Sequence, residues 1–172
     1  MHLRRVNHVV LSVSDLDRSL TFYRDLLGLL PVAELPGSEH WPAMVFLRSP
    51  APSSNHHDLA LIANAEAPAP TSAPRPAGMF HVALEVGTLD ELAAVQQTLD
   101  SAGVLRGAVD QGMHLSVYTA DPDGIEVEII WRAPDDAWSY DDALTRRPLD
   151  VASARERWGG HLATGSAAGA PA

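Results

Sequence analysis

The chain of 172 residues contains no cysteine. That absence excludes disulfides, thiolate nucleophiles and cysteine-based zinc sites, so any metal must be held by nitrogen and oxygen ligands. Basic residues are also few. The 12 Lys and Arg stand against 22 Asp and Glu, for a formal net charge of -10, and apart from Arg4-Arg5 and Arg146-Arg147 they are scattered. With no basic stripe to meet phosphates, nucleic-acid binding is not expected. No apolar run approaches the roughly 20 residues of a membrane span, and the N-terminus enters a strand-like segment without the apolar core of a signal peptide. A cytoplasmic protein that does not engage membranes is therefore expected. What is present is the balance of a folded domain, 46% hydrophobic and 20% charged, with eight histidines as candidate nitrogen ligands.

The chain repeats itself. Residues 8–17 read HVVLSVSDLD and residues 81–90 read HVALEVGTLD, so His, Val, Leu, Val, Leu and Asp recur in register. Each copy opens with the alternating apolar pattern of a half-buried strand and then turns into a helix. In the first, Leu16, Leu20, Tyr23 and Leu27 form one stripe and Gly28 stands where a C-terminal glycine belongs. In the second, Thr88 and Glu91 fit a capping box, and Leu89, Leu92, Gln96 and Leu99 mark the stripe, ending near Gly103. Three short strands are predicted after each helix, at 30–35, 43–49 and 57–63, then at 104–109, 113–120 and 125–131. The unit is βαβββ, twice. The expected organisation is a first module over 1–63, an Ala/Pro-rich linker over 64–78, a second module over 79–132 and a C-terminal extension over 133–172. That extension carries a short helix at 150–158 and a tail, from Gly159, expected to be disordered.

His8 and His81 occupy the same place in the two copies. A single strand histidine is more often structural than a ligand, but recurrence in register favours metal binding, for which neutral imidazole is a common ligand. A carboxylate is needed to offset a divalent charge. In DPDGIEVEII, residues 121–130, the turn signal Asp121-Pro122-Asp123-Gly124 precedes a strand in which Glu126 and Glu128 share a face. Glu126 fits a solvated strand end. Glu128, followed by Ile129, Ile130 and Trp131, is costly to bury unless it meets a cation, so His8, His81 and Glu128 are the candidate metal ligands.

The paired βαβββ units, the matched histidines and the DPDG-x-x-x-E ending resemble the vicinal oxygen chelate superfamily over about residues 5–132. That superfamily includes glyoxalases, type I extradiol ring-cleaving dioxygenases and drug-resistance proteins. The resemblance implies an α+β fold in which two βαβββ repeats form a metal-binding cleft. Glyoxalase-like members place a fourth ligand on the last strand of the first repeat, but aligning DLALIA on EVEIIW puts Ala60 opposite Glu128. Two histidines and one carboxylate leave adjacent positions open, as in the facial triad of non-heme Fe(II) oxygenases, although Mn(II) fits the same ligands. The segment His56-His57-Asp58-Leu59-Ala60-Leu61 resembles the one that supplies the acid/base histidine of extradiol dioxygenases, which by that match is His57; strand parity alone leaves open which of His56 and His57 points inward. Tyr118 matches a tyrosine that contacts bound substrate. Gln111 stands where related sequences often carry a histidine, with His114 nearby as a substitute.

The resemblance thus implies an Fe(II)-dependent extradiol-type dioxygenase that cleaves a catechol-like aromatic diol with O2. A homodimer is the assembly common among family members. A metal-dependent, oxygen-independent lyase or isomerase of the glyoxalase type, or a protein that sequesters small molecules or drugs, is the alternative within the same superfamily.

Overall fold

The computed structural model describes residues 2–50, 53–66, 78–139 and 145–166. They fall into two compact units, Met1–Pro74 with Asp121–Gly124, and Arg75–Ala120 with Ile125–Ala172. Residues 67–77, most of the expected linker, lie outside the described residues. Among the described residues no helix is long and apolar enough to cross a membrane.

In the first unit β1 (Val9–Val13) leads into α1 (Leu16–Leu20), followed by β2 (Leu30–Leu35), β3 (Met44–Arg48) and β4 (Leu59–Ala63). The sheet order is β1-β4-β3-β2. β1 lies parallel to β4, and the other pairs are antiparallel. Asp15 starts the helix by accepting from the Arg18 N–H at 3.0 Å, leaving one fewer orphan donor in its first turn. The helix then departs from the expected α-helical stripe. Thr21–Leu26 widen into a π-helical turn, which brings Phe22 and Tyr23 inward together, edge to face at 5.0 Å. Gly28, at φ +78°, ends the helix in a backbone region that side chains disfavour.

The turn residues Asp121–Gly124 group with this first unit, which explains the two aspartates of the motif. Asp121 accepts a buried hydrogen bond from the Tyr23 hydroxyl at 3.1 Å. Asp123 accepts from the Ser14 N–H at 2.9 Å and from the Ser14 hydroxyl, and pairs with Arg18 at 2.9 Å. The motif is a clasp on the strand-to-helix junction as well as a turn.

Asp58 organises the loop before β4. Its carboxylate accepts from the Ser49 N–H at 2.9 Å, the Ser53 hydroxyl at 2.7 Å and the Asn55 amide at 2.7 Å. The Asn55 amide also donates to the Asn7 carbonyl at 3.0 Å. One carboxylate thereby ties together the segments that carry His8 and His57.

The second unit repeats the plan with β5 (His81–Glu85), α2 (Leu89–Ser101), β6 (Gly107–Asp110), β7 (His114–Ala120) and β8 (Glu126–Arg132). Its order is β5-β8-β7-β6-β9, where β9 (Arg147–Pro148) adds an edge strand. α2 starts with the complete capping box of Thr88 and Glu91. Its Leu89, Leu92 and Leu99 are fully buried, and it packs on β7 and β8. β6 begins later than the expected residue 104, because the Val104 and Leu105 N–H groups both bond back to the Leu99 carbonyl as the helix ends. Strand alternation sorts the sheet into two faces. Leu115, Val117, Thr119, Val127, Ile129 and Trp131 are buried on one; Ser116, Tyr118, Glu126 and Glu128 lie on the other. The observed class is the expected α+β.

Past Trp131 a tail disordered from Gly159 was expected; residues 159–166 of it are ordered, and residues 167–172 lie outside the described residues. α3 (Val151–Trp158) is capped by Asp150, and residues 159–166 are held rather than free. The Trp131 indole donates to the Leu162 carbonyl at 3.0 Å, and Leu162 is buried. Thr164 bridges the Arg132 N–H and Glu85 at 2.9 and 2.6 Å. The small residues of this segment permit close packing, with the Gly160 carbonyl 2.8 Å from the Asp90 N–H.

Trp131→Phe removes that donor while keeping an aromatic ring, and is expected to cost about 1–3 kcal/mol in urea unfolding and to speed proteolysis within 159–166. Unchanged stability and cleavage would show that the contact does no anchoring. A second prediction concerns Asp58. Burial alone would raise its carboxyl, but the hydrogen bonds from Ser53, Ser49 and Asn55 outweigh burial and hold it below the usual carboxylate range. Its contribution to stability is therefore complete above about pH 4 and is lost as pH falls through the depressed value. Asp58→Asn should be less stable than the parent at pH 7, with the gap closing in acid; a gap independent of pH would contradict this.

Candidate metal centre

Glu128 is 4% exposed, on a strand that otherwise buries Val127, Ile129 and Trp131. Its Oε1 gathers donors from β7 and the turn before it: the Tyr118 hydroxyl at 2.6 Å, the Ser116 hydroxyl at 2.7 Å, the Gln111 amide at 3.0 Å, with His114 Nε2 at 3.4 Å. The register explains the convergence. Tyr118 is directly opposite Glu128 and Ser116 is opposite Ile130, so positions two apart on β7 present their polar ends to the same carboxylate. Burial by itself would raise the Glu128 carboxyl, but the hydrogen bonds from His114, Tyr118 and Ser116 outweigh it and hold the group down at about 2. Glu128 is a carboxylate at neutral pH.

With Oε1 so engaged, Oε2 is the oxygen that faces His81, 3.2 Å from its Nε2. The other ring nitrogen of His81 lies 3.9 Å from Glu126, so the imidazole stands between two carboxylates, with Nε2 aimed at the buried one. An imidazole nitrogen and a carboxylate oxygen this close are spaced as neighbouring ligands of one ion, whose bonds to each would be about 2.0–2.2 Å. The nitrogen and oxygen donor set fits a divalent first-row metal. Among the described residues no three His, Asp or Glu side chains form a ready-made metal cluster; the second unit itself supplies the pair. A cavity of about 230 Å³ opens over this pair, lined also by Phe80, His114, Tyr118 and Arg146.

Tyr118 is placed differently from its expected role. Its hydroxyl donates to Glu128 and accepts from the Gln111 amide at 2.7 Å. Burial, then the bond to Glu128, push its pKa up to about 12, so it remains a donor. Contact with a bound substrate would require that hydroxyl to leave Glu128. Gln111, standing where a histidine was expected, is buried and braces this network instead of facing the cavity alone. His114 lines the cavity. Ser116 was not singled out from the sequence; its spacing of two from Tyr118, on the strand paired with Glu128, was the available signal.

In the first unit His57, and not His56, lies against His8, with ring centroids 4.5 Å apart. Phe46 backs His57 at 4.9 Å. His56 is the exposed member of the pair. Burial, then the neighbouring His8 and His56, push the His57 imidazole below its usual range, which favours a neutral ring. The fourth-ligand position is apolar: Val10 pairs with Ala60 just as Ala83 pairs with Glu128, and Ala60 is fully buried.

Residues 5–129 match the profile of the Glyoxalase/Bleomycin resistance protein/Dioxygenase superfamily. The biphenyl-2,3-diol 1,2-dioxygenase of Metapseudomonas furukawaii is 30% identical over 141 residues, covering 77% of this chain and 43% of that protein. The iron-dependent extradiol dioxygenase of Rhodococcus jostii is 32% identical over 135 residues, covering 72% and 41%. This chain thus spans less than half the length of either dioxygenase. Glutathione transferase FosA of Serratia marcescens is 28% identical over 127 residues, covering 74% and 80%. Among solved structures, glyoxalase I of Leishmania major superposes with a TM-score of 0.55 at 29% identity, covering 74% of this chain and 86% of that one. The two mixed sheets, the repeated unit and these matches together establish that the chain belongs to the glyoxalase/bleomycin resistance protein/dioxygenase superfamily.

Proposed function

We propose that the chain is an Fe(II)-dependent extradiol-type dioxygenase that cleaves a catechol-like vicinal diol with O2. The observation that carries this reading is Glu128, a buried carboxylate held ionised by four side chains, with its second oxygen 3.2 Å from His81 Nε2. His8, the repeat counterpart of His81, is the proposed third ligand. The absence of an acidic side chain at Ala60 supports a set of three rather than four, and the likeness to dioxygenases of 30% and 32% identity supports oxygen chemistry. Mn(II) is the metal the same ligands would next accept.

Iron bound there would supply a centre at which a diol and O2 are held together and the negative charge on their oxygens is stabilised. The protein's own contributions follow from its side chains. Glu128 offsets part of the metal charge, and the Tyr118, Ser116 and Gln111 donors keep its orientation fixed. His57, neutral and against the His8 ring, is the proposed proton carrier, taking the diol proton and returning it within one turnover. Tyr118 positions the carboxylate through its hydroxyl, which donates to Glu128.

A lyase or isomerase of the glyoxalase type is the second reading. It is favoured by the superposition on glyoxalase I. It would use the same ligands without O2. Retention of the histidines and Glu128 weighs against a protein that only sequesters a ligand.

Anaerobic Fe(II) reconstitution followed by oxygen-uptake measurements with a panel of catechols should show stoichiometric O2 consumption and a ring-opened semialdehyde product. Turnover that proceeds without O2 would establish the second reading instead. Glu128→Ala is expected to lose iron on desalting. His57→Ala is expected to keep iron but to turn over about 10²–10⁴-fold more slowly; a fully active His57→Ala would remove that residue from the mechanism.

A further inference from the structure

Arg146 and Arg147 are one of the two adjacent basic pairs in an otherwise acidic chain. Neighbouring residues of an extended segment point to opposite sides. Arg147 begins β9, pairs in register with Asp110, and its guanidinium lies 3.6 Å from the Asp110 carboxylate. Arg146 goes the other way and lines the cavity over His81 and Glu128. It is the only Lys or Arg among the described residues that line this cavity, and among the described residues it has no ion-pair partner. Glu128 does not need it, since four other side chains already surround its Oε1.

A guanidinium left unpaired at the wall of a cavity is a receptor for a planar anion, which it meets through two parallel hydrogen bonds. A single positive charge, in a cavity that already holds Glu126 and Glu128, suits a monoanion better than a doubly charged phosphonate. Phe80, 67% exposed on the same wall, offers an apolar surface to a ring. We infer that Arg146 receives a carboxylate carried by the substrate, so that the substrate class is an aromatic acid, and on the diol-cleaving reading a dihydroxybenzoate or dihydroxyphenylacetate rather than an uncharged catechol. The diol half of this statement rests on the proposed function; the carboxylate half rests on Arg146 alone.

The test is anaerobic titration calorimetry of the Fe(II)-supplemented protein with 2,3- and 3,4-dihydroxybenzoate and 3,4-dihydroxyphenylacetate, each against its methyl ester. At least one acid is expected to bind about tenfold or more tightly than its ester. Arg146→Gln should erase that preference by bringing the acid down to the affinity of its ester, and Arg146→Lys should keep part of it. Equal binding of every acid and ester in the parent protein, or a preference that survives Arg146→Gln, overturns the inference, as does no binding of any of them or of benzoate. Benzoate separates the two halves. If it binds in an Arg146-dependent way and the dihydroxy acids bind no tighter, the carboxylate subsite stands and the diol reading fails. Phenylphosphonate binding more tightly than benzoate would overturn the assignment to a carboxylate.

Discussion

Glu128 lies on a strand whose buried neighbours are Val127, Ile129 and Trp131, and an isolated carboxylate there would surrender its charge before its solvation. The second unit prevents this by surrounding one carboxylate oxygen with Tyr118, Ser116, Gln111 and His114. Most of the remaining site geometry depends on that arrangement. Because Oε1 is occupied, Oε2 is the oxygen left for a cation, and because β5 lies parallel to β8 with His81 opposite Glu126, the imidazole meets that oxygen. The same polar residues that solvate the carboxylate fix its direction, so charge and aim are maintained together.

The two repeats use one backbone plan for different tasks. In both, the residue two positions after the repeated histidine pairs with the equivalent position, near the start of the last strand: Ala83 with Glu128, Val10 with Ala60. The second copy places a carboxylate at that position and polar residues around it. The first places alanine there and concentrates imidazoles at the strand entrance, where the Asp58 network fixes the loop that holds His57 against His8. A duplicated unit can diverge in this way because strand register, set by hydrophobic alternation, survives substitutions on the open face.

Much of this was legible in the sequence, for reasons that are local. The α2 capping box, the glycines after both first helices and the alternating strands are short-range signals, and they gave the repeat and the fold class. Glu128 was legible because a charge in an apolar strand contradicts its surroundings. The donors that keep it charged were harder to find: Ser116 reaches Glu128 through the antiparallel register of β7 on β8, and Gln111 from the turn between β6 and β7, which no single strand announces. The π-helical turn at Thr21–Leu26, which buries Phe22 and Tyr23 together, also left no local mark. Gly159–Ser166 reads as a disordered, small-residue tail, yet Trp131 and Thr88, distant in sequence, hold it through Leu162 and Ala163. Arg146 and Arg147 read as one basic pair, and only the β9 register separates a structural arginine from one facing the cavity.

The proposed ligation of the metal by two imidazoles and one carboxylate can be read by iron X-ray absorption on the anaerobically loaded protein. A signature of two imidazoles with otherwise oxygen donors is expected, reduced to one imidazole in His81→Ala. Iron coordinated without imidazole, or an imidazole signature unchanged in His81→Ala, would contradict it.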